Sequence, residues 1–374
     1  MTRDHYWYWL CNLFGIGRLT ISKLLEEYET PDNVYNEDDD IIMSLISSGR
    51  RYNITLSDYV NSKNVDNIIY SYERLNENGI TFIHRESSLY PEKLRNIPDA
   101  PYGLYLKGTM PDSNKPGIAI IGSRNSTHYG REMARCFGRE LARNGITIIS
   151  GLARGIDGMG HRGAVEAGGY TLGVLGGGID VVYPQENYDL FIEMEKSGGI
   201  ISESNMGIRP VPGLFPHRNR IISGMADGIL VVEAKEKSGT FITVDQGLEQ
   251  GKEIFALPGR ILDENSKGCN NLIKMGAHLV TDVSDILEIL GEMGFSDGEK
   301  SDMENRMFNI DDVKNLLAPT EKMVYSVLSV EPKFIDDIIA EVMLAPGEVC
   351  MYLNRMEIMG IVVEPTRNFY SVRL

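Results

Sequence analysis

The chain has 374 residues, of which 42% are hydrophobic, and a formal net charge of -16. That is enough apolar content for two or three compact domains. The acidic balance excludes a general attraction to nucleic acid or to an anionic membrane, so any anion site must be local.

The amino terminus, MTRDHYWYWL, lacks the basic start and aliphatic run of a signal peptide. No later window reaches about eighteen apolar residues, so a cytoplasmic protein with no membrane partner is expected. Cys11, Cys136, Cys269 and Cys350 lie far apart without a CxxC pair. Neither zinc nor a disulfide framework is suggested.

Residues 1–100 show helical periodicity, with Leu10, Leu13 and Phe14 before Gly15-Ile16-Gly17 and Leu19, Ile21, Leu24 and Leu25 after it. LFGIGRL matches the turn of helix-hairpin-helix modules, whose backbone N–H groups face a DNA phosphate. The same glycines would also turn a chain between packed helices. IPDAPYGLYLKGTMPDSNKPG then reads as a loop rich in Pro and Gly.

From Ile118 the apolar runs IAII, ITIIS, YTLGVLG, GIISE, GILVVEA, EIFALPG and HLVT alternate with amphipathic stretches. Runs apolar at nearly every position suit a parallel sheet covered on both faces. Residues 104–290 are therefore expected to form a doubly wound α/β domain, with its ligand at the carboxyl ends of the strands. Residues 291–317 are acidic and rich in Gly and Ser, as a flexible linker is. Residues 318–374 read as three helices and a hairpin, a winged helix whose third helix carries Arg355 against Glu348 and Glu357. A helix that tracks phosphates would be basic, so protein contact or domain regulation is the better expectation there.

The loops of the α/β domain hold its unusual residues. Gly122-Ser123-Arg124 follows the first strand where a dinucleotide fold would place Gly-x-Gly-x-x-Gly, which disfavours a nicotinamide or flavin cofactor. A guanidinium beside a helix start near Thr127 favours an anion instead, unless Arg124 pairs with an acid across the domain. SGLARGID brings Arg154 beside Asp157, which reads as a helix N-cap. GGGID offers Gly176, Gly177 and Gly178, FPHRNR offers Arg218, Asn219 and Arg220, and KSGT offers Ser238, Gly239 and Thr240. Glycine, hydroxyl and arginine converging on one edge make a phosphate-binding surface. Tyr129, Tyr183 and Phe215 could stack on bases or belong to the core. Glu203 and Glu233, at strand ends, could act as hydrolase acids or hold neighbouring arginines, and no GxSxG, HExxH or Walker motif is present.

GSRNSTHYG, SGLARGID, GGGIDVVYP, ISES, FPHRNRIISG, SGTFIT, ALPG and GCNNLIKMGA, in this order, resemble the DNA-processing protein A family (DprA, also called Smf). The resemblance implies an extended Rossmann-like domain, often with a small helical domain before it and a winged helix after it. It implies a non-catalytic protein that binds single-stranded DNA, forms a homodimer and helps load a RecA-type recombinase on incoming DNA. Carried onto this chain, it points to Gly122, Ser123 and Arg124 as leading phosphate contacts and to Thr127 in a position usually held by serine. Arg218, Asn219 and Arg220 match its Arg-Asn-Arg run, and Ser238, Gly239 and Thr240 its Ser-Gly-Ser/Thr turn.

Nucleoside-monophosphate phosphoribohydrolases resemble the same domain but carry PGGxGTxxE with a catalytic Glu, where this chain has Thr243. A hydroxyl cannot replace that carboxylate. Residues 116 to 290 hold 17 basic and 21 acidic residues, so a basic groove requires the acids, such as Glu186, Glu193, Glu195, Asp285 and Glu288, to lie on helix exteriors. The dimer surface is expected around EIFALPGRILDENSKGCNNLI.

Overall fold

The computed structural model describes residues 1–47, 54–295 and 317–372, and most of the expected linker lies outside the described residues. Six short helices come first: α1 (Arg3–Cys11), α2 (Arg18–Tyr28), α3 (Pro31–Asn36), α4 (Asp39–Ser47), α5 (Leu56–Ser62) and α6 (Val65–Glu77). The side chains of Thr30, Thr55 and Asn64 cap three of them by accepting backbone N–H groups three residues on. Between α1 and α2 the chain turns at Gly15, whose φ of 79° a side chain would resist. Phe14 and Leu19 stand exposed at this turn.

The sheet has nine strands: β1 (Thr81–His84), β2 (Gly103–Gly108), β3 (Gly117–Ile121), β4 (Thr147–Ser150), β5 (Thr171–Leu175), β6 (Gly199–Ser202), β7 (Gly228–Val231), β8 (Glu253–Ala256) and β9 (His278–Leu279). Their order is β1-β2-β6-β5-β4-β3-β7-β8-β9. The last seven in sequence pair parallel, each where an apolar run predicts it. Two strands depart from the sequence reading. Thr81–His84 lies inside the stretch expected to be helical and GLYLKG inside the expected loop, yet both join the sheet as antiparallel edge strands beside β6. As a result the amino-terminal helices share one apolar core with the sheet, in which Trp7, Leu10, Phe82, Tyr105, Leu175 and Ile200 pack together.

Helices cover both faces, as an all-apolar parallel sheet requires. They are α7 (Glu92–Arg95), α8 (His128–Arg143), α9 (Ile156–Glu166), α10 (Tyr188–Ser197), α11 (Leu214–Met225), α12 (Thr240–Glu249), α13 (Lys267–Lys274) and α14 (Val283–Glu292), and the closest pair is α8 against α9. A Cβ added to Gly163 would lie 1.9 Å from the carbonyl oxygen of Arg135, and one added to Gly138 would lie 2.2 Å from that of Gly160. The two backbones touch, which brings the starts of both helices close together at the carboxyl edge of the sheet. In α9, His161 is fully buried, with Nδ1 2.6 Å from the Thr171 hydroxyl. All four cysteines are free thiols.

Residues 317–372 form a further unit of α15 (Pro319–Ser326), α16 (Ile335–Val342), α17 (Pro346–Ile358) and a three-stranded antiparallel sheet ordered Lys333–Phe334, Phe369–Val372, Val362–Thr366. The three helices and hairpin fall where the sequence suggests, with a short third strand added. This unit meets the α/β domain through Ser371 Oγ and His128 Nε2, 3.0 Å apart, and through Arg260 and Glu331, 2.9 Å apart.

Two consequences can be measured. Gly163→Ala should destabilise the fold by at least about 1–3 kcal/mol in chemical denaturation, because backbone cannot yield as a flexible side chain does. Burial pushes the His161 pKa from 6.5 down to about 3. The unfolded chain therefore binds a proton that the folded chain refuses between these values. Stability from the neutral ring is complete above pH 6.5 and is lost as pH falls towards 3, at about 1.4 kcal/mol per pH unit. Denaturation series from pH 7 to 4 should show a shallower slope for His161→Gln than for the parent.

Candidate nucleic-acid interface

Parallel strands deliver their loops to one edge, and where successive crossovers run in opposite directions the loops part to leave a crevice. Here that place lies between β3 and β7. The Ser123 N–H donates to the Glu233 carbonyl at 2.8 Å, joining the two loops. At Gly122 a Cβ would lie 2.7 Å from Ile156 Cγ1 and 2.8 Å from that same carbonyl, so only glycine lets them close. Thr127 caps α8, its hydroxyl accepting from the Gly130 N–H at 3.0 Å. Its own N–H and hydroxyl donate to the buried Glu233 carboxylate at 2.9 and 2.5 Å.

Beside this junction is a cavity of about 220 Å³, whose walls include Arg124, Arg154, Gly177, Tyr183, Phe215 and Arg218. Arg124 is exposed and lies over the Phe215 ring at 4.9 Å. It has no acid partner among the described residues, so the pairing across the domain weighed from the sequence is not seen. The Phe215 ring also meets the Tyr183 ring at 6.0 Å, and the Arg218 guanidinium at 6.0 Å. Of the three aromatics considered for stacking, Phe215 and Tyr183 line the cavity and Tyr129 does not.

Arg218 is the buried cation of the site, 6% exposed. Its Nη1 donates to the Val174 carbonyl at 2.8 Å, and its Nε finds no partner. Burial pushes its pKa down to about 10, against the pull of Asp157, so it remains a cation at neutral pH. The arginine passes directly beneath Gly151, where a Cβ would sit 1.6 Å from Nη1. Asp157 accepts the Gly151 N–H at 3.2 Å as the second residue of α9, whose cap is Gly155. Burial raises its pKa and Arg218 opposes the rise.

The other residues singled out from the sequence divide into two groups. Arg154 stands on the rim and pairs with Glu186 at 3.0 Å, both more than half exposed. Glu186 thus belongs to the site's rim and not merely to a helix exterior. An exposed pair of this kind is weak, and a phosphate can replace the carboxylate. Gly177 forms part of the wall, where an added Cβ would lie 3.1 Å from the Ile208 carbonyl oxygen. Arg220 is buried, and its Nη2 donates to both carboxylate oxygens of Glu203 at 2.7 and 2.6 Å, as a brace. Asn219 sits one residue beyond the cavity lining on α11 (Leu214–Met225). Ser238, Gly239 and Thr240 also lie outside that lining, across the β3–β7 junction, with the Ser238 hydroxyl 2.9 Å from that of Thr240.

Glu203 does hold an arginine, but Glu233 holds Thr127 instead. Gly151 also lines the cavity, and its signal in the sequence is a glycine directly after a strand. Among the described residues, no group of His, Cys, Asp and Glu is arranged to hold a metal ion.

The arrangement presents two guanidiniums around one aromatic ring, with a third on the rim. It can grip phosphate oxygens while a base stacks on the ring. A family model for DNA recombination-mediator protein A matches residues 81–291. DNA processing protein DprA of Bacillus subtilis is 44% identical over 217 residues, covering 58% of this chain and 73% of that protein. Protein Smf of Synechocystis is 30% identical over 401 residues, covering 100% of both. The X-ray structure of DprA from Streptococcus pneumoniae superposes with a TM-score of 0.65 at 32% identity, over 77% of this chain and 98% of that one. A solved structure of DNA processing protein A from Helicobacter pylori, a protein with a unique single-stranded DNA binding mode, superposes with a TM-score of 0.51 at 27% identity, over 57% of this chain and 96% of that one. With the family model matching more than half of its residues and a relative 30% identical over the full length of both, the chain belongs to the DNA recombination-mediator protein A family.

Proposed function

We propose that this recombination mediator binds single-stranded DNA in the cavity over the carboxyl ends of β3, β4 and β5 and, without catalysis, helps load a RecA-type recombinase. The observation that carries the reading is Arg124, a cation that has no acid partner among the described residues and lies on Phe215 beside the buried Arg218. The strand's phosphates meet Arg124 and Arg218, Arg154 exchanges Glu186 for a phosphate, and a base stacks on Phe215. The hydrolase reading loses support because Glu203 and Glu233 are each bound within the protein and neither lines the cavity.

Ile261 and Leu262, exposed at 84% and 88% in the segment expected to form the dimer surface, support a homodimer. No helix among the described residues is long and apolar enough to cross a membrane, in keeping with a cytoplasmic site of action.

In fluorescence anisotropy, Arg124→Ala should weaken binding of an oligothymidylate about ten- to hundredfold, the worth of a charge-assisted contact. It should also reduce the slope of log affinity against log salt by about 0.7. Unchanged affinity and slope would remove this loop from the interface. Sedimentation equilibrium should show a dimer that Leu262→Asp dissociates; a monomeric parent protein at micromolar concentration would refute the dimer.

A further inference from the structure

A second cavity, of about 360 Å³, opens where α1 and α6 meet the loops that follow β5 and β6. It adjoins the first. The wall between them is the Gly177–Gly178 backbone against Ile208–Pro210, closed by a hydrogen bond from the Gly178 N–H to the Ile208 carbonyl at 2.7 Å. The seam is built rather than incidental: Asn205 Nδ2 donates to the Tyr8 hydroxyl at 3.1 Å and to Asn12 Oδ1 at 2.9 Å. Asp180 accepts the Gly207 N–H through Oδ1 at 2.7 Å.

The chemistry of this cavity differs from that of its neighbour. Arg74 and Asp180 both line it, and both are exposed, yet no ion pair joins them. Among the described residues neither has an oppositely charged partner; the Arg74 guanidinium lies 5.9 Å from the Tyr70 ring centre. Leu75 and Met206 supply apolar wall, and the hydroxyls of Ser71 and Tyr8 add donors. A bare phosphate would satisfy Arg74 but meet the Asp180 carboxylate. A ligand that fits both must present acceptors on one edge and N–H donors on another, as a nucleobase does. Guanine matches best: O6 and N7 form a pair of acceptors for a guanidinium, and N1–H with N2–H form a pair of donors for a carboxylate.

We propose that this seam is a base subsite for the same strand, in which Arg74 and Asp180 read a guanine next to the nucleotide held by Arg124 and Phe215. The inference rests on the reading of the first cavity as the single-strand site. A guanine base could also arrive as a free nucleotide. Continuity with the first cavity along the strand-end edge favours the polymer.

The test uses the full chain and three probes: an oligothymidylate long enough to cover both cavities, the same oligomer with one central dG, and guanosine monophosphate. The dG strand should bind about tenfold tighter than the thymidylate strand at equal salt. Arg74→Ala and Asp180→Asn should each erase that preference, bringing the affinity for the dG strand down to that for the thymidylate strand. Absence of any dG preference overturns the inference. So does an equal loss on both strands in Arg74→Ala, which would make Arg74 a phosphate contact. Binding of guanosine monophosphate as tight as that of the dG strand, lost in Arg74→Ala, overturns the strand as the source. Failure of the first cavity has a separate outcome: there, Arg124→Ala leaves thymidylate binding intact whatever Arg74 does.

Discussion

The Glu233 carboxylate is the pin on which the interface turns. It sits just beyond β7, 5% exposed, and receives both the N–H and the hydroxyl of Thr127. Its backbone carbonyl receives the Ser123 N–H. One residue thereby fixes both ends of the Gly-Ser-Arg loop against the neighbouring strand. Gly130 shows how tightly the space is filled, since a Cβ there would lie 2.3 Å from the Glu233 carboxyl carbon. A buried carboxylate is tolerable only with such donors around it. In return the loop that carries Arg124 holds a fixed course and does not fold back onto an acid.

The charge distribution follows from the same division of labour. In a chain of net charge -16, most arginines near the sheet's carboxyl edge would be expected to find carboxylates. Arg220 does, in a half-buried pair with Glu203, and so gives up its charge to the scaffold. Arg218 instead has a carbonyl partner and an aspartate nearby, and Arg124 has an aromatic face. A guanidinium lying on a ring keeps its N–H edge free, which an ammonium group cannot do in the same manner. The local field at the cavity is therefore set by which arginines stay unpaired, and the domain's overall balance says little about it.

Much of this was legible in the sequence. The seven parallel strands announce themselves because a strand buried on both faces is apolar at nearly every position, and the Gly-Ser-Arg turn stands where the fold places ligands. β1 and β2 were not legible: TFIH and GLYLKG are short edge strands, and the second lies among prolines and glycines that signal turns. Thr127, Arg220 and the Ser238–Thr240 turn carry the right chemistry for phosphate contact, and sequence alone could not tell which hydroxyls and guanidiniums the scaffold consumes. That depends on Glu233, 106 residues from Thr127 and brought beside it by the strand order, and on Glu203, met by Arg220 within the connection that follows β6. The Arg74–Asp180 seam was hidden for the same reason, since its residues belong to segments that read as separate domains.

The antiparallel pair β1 and β2 changes what kind of object the amino-terminal helices are. The Tyr105 hydroxyl on β2 donates to Asn12 at 2.8 Å, His84 on β1 meets Asp4 at 2.9 Å, and the Trp7 indole donates to Glu86 at 2.9 Å. Together with a common core, these contacts make the helices a fixed buttress and not a tethered module. A ligand lying across both cavities would then meet walls already in register. The ordering cost that a hinged pair of domains must bear on closing would have been met during folding.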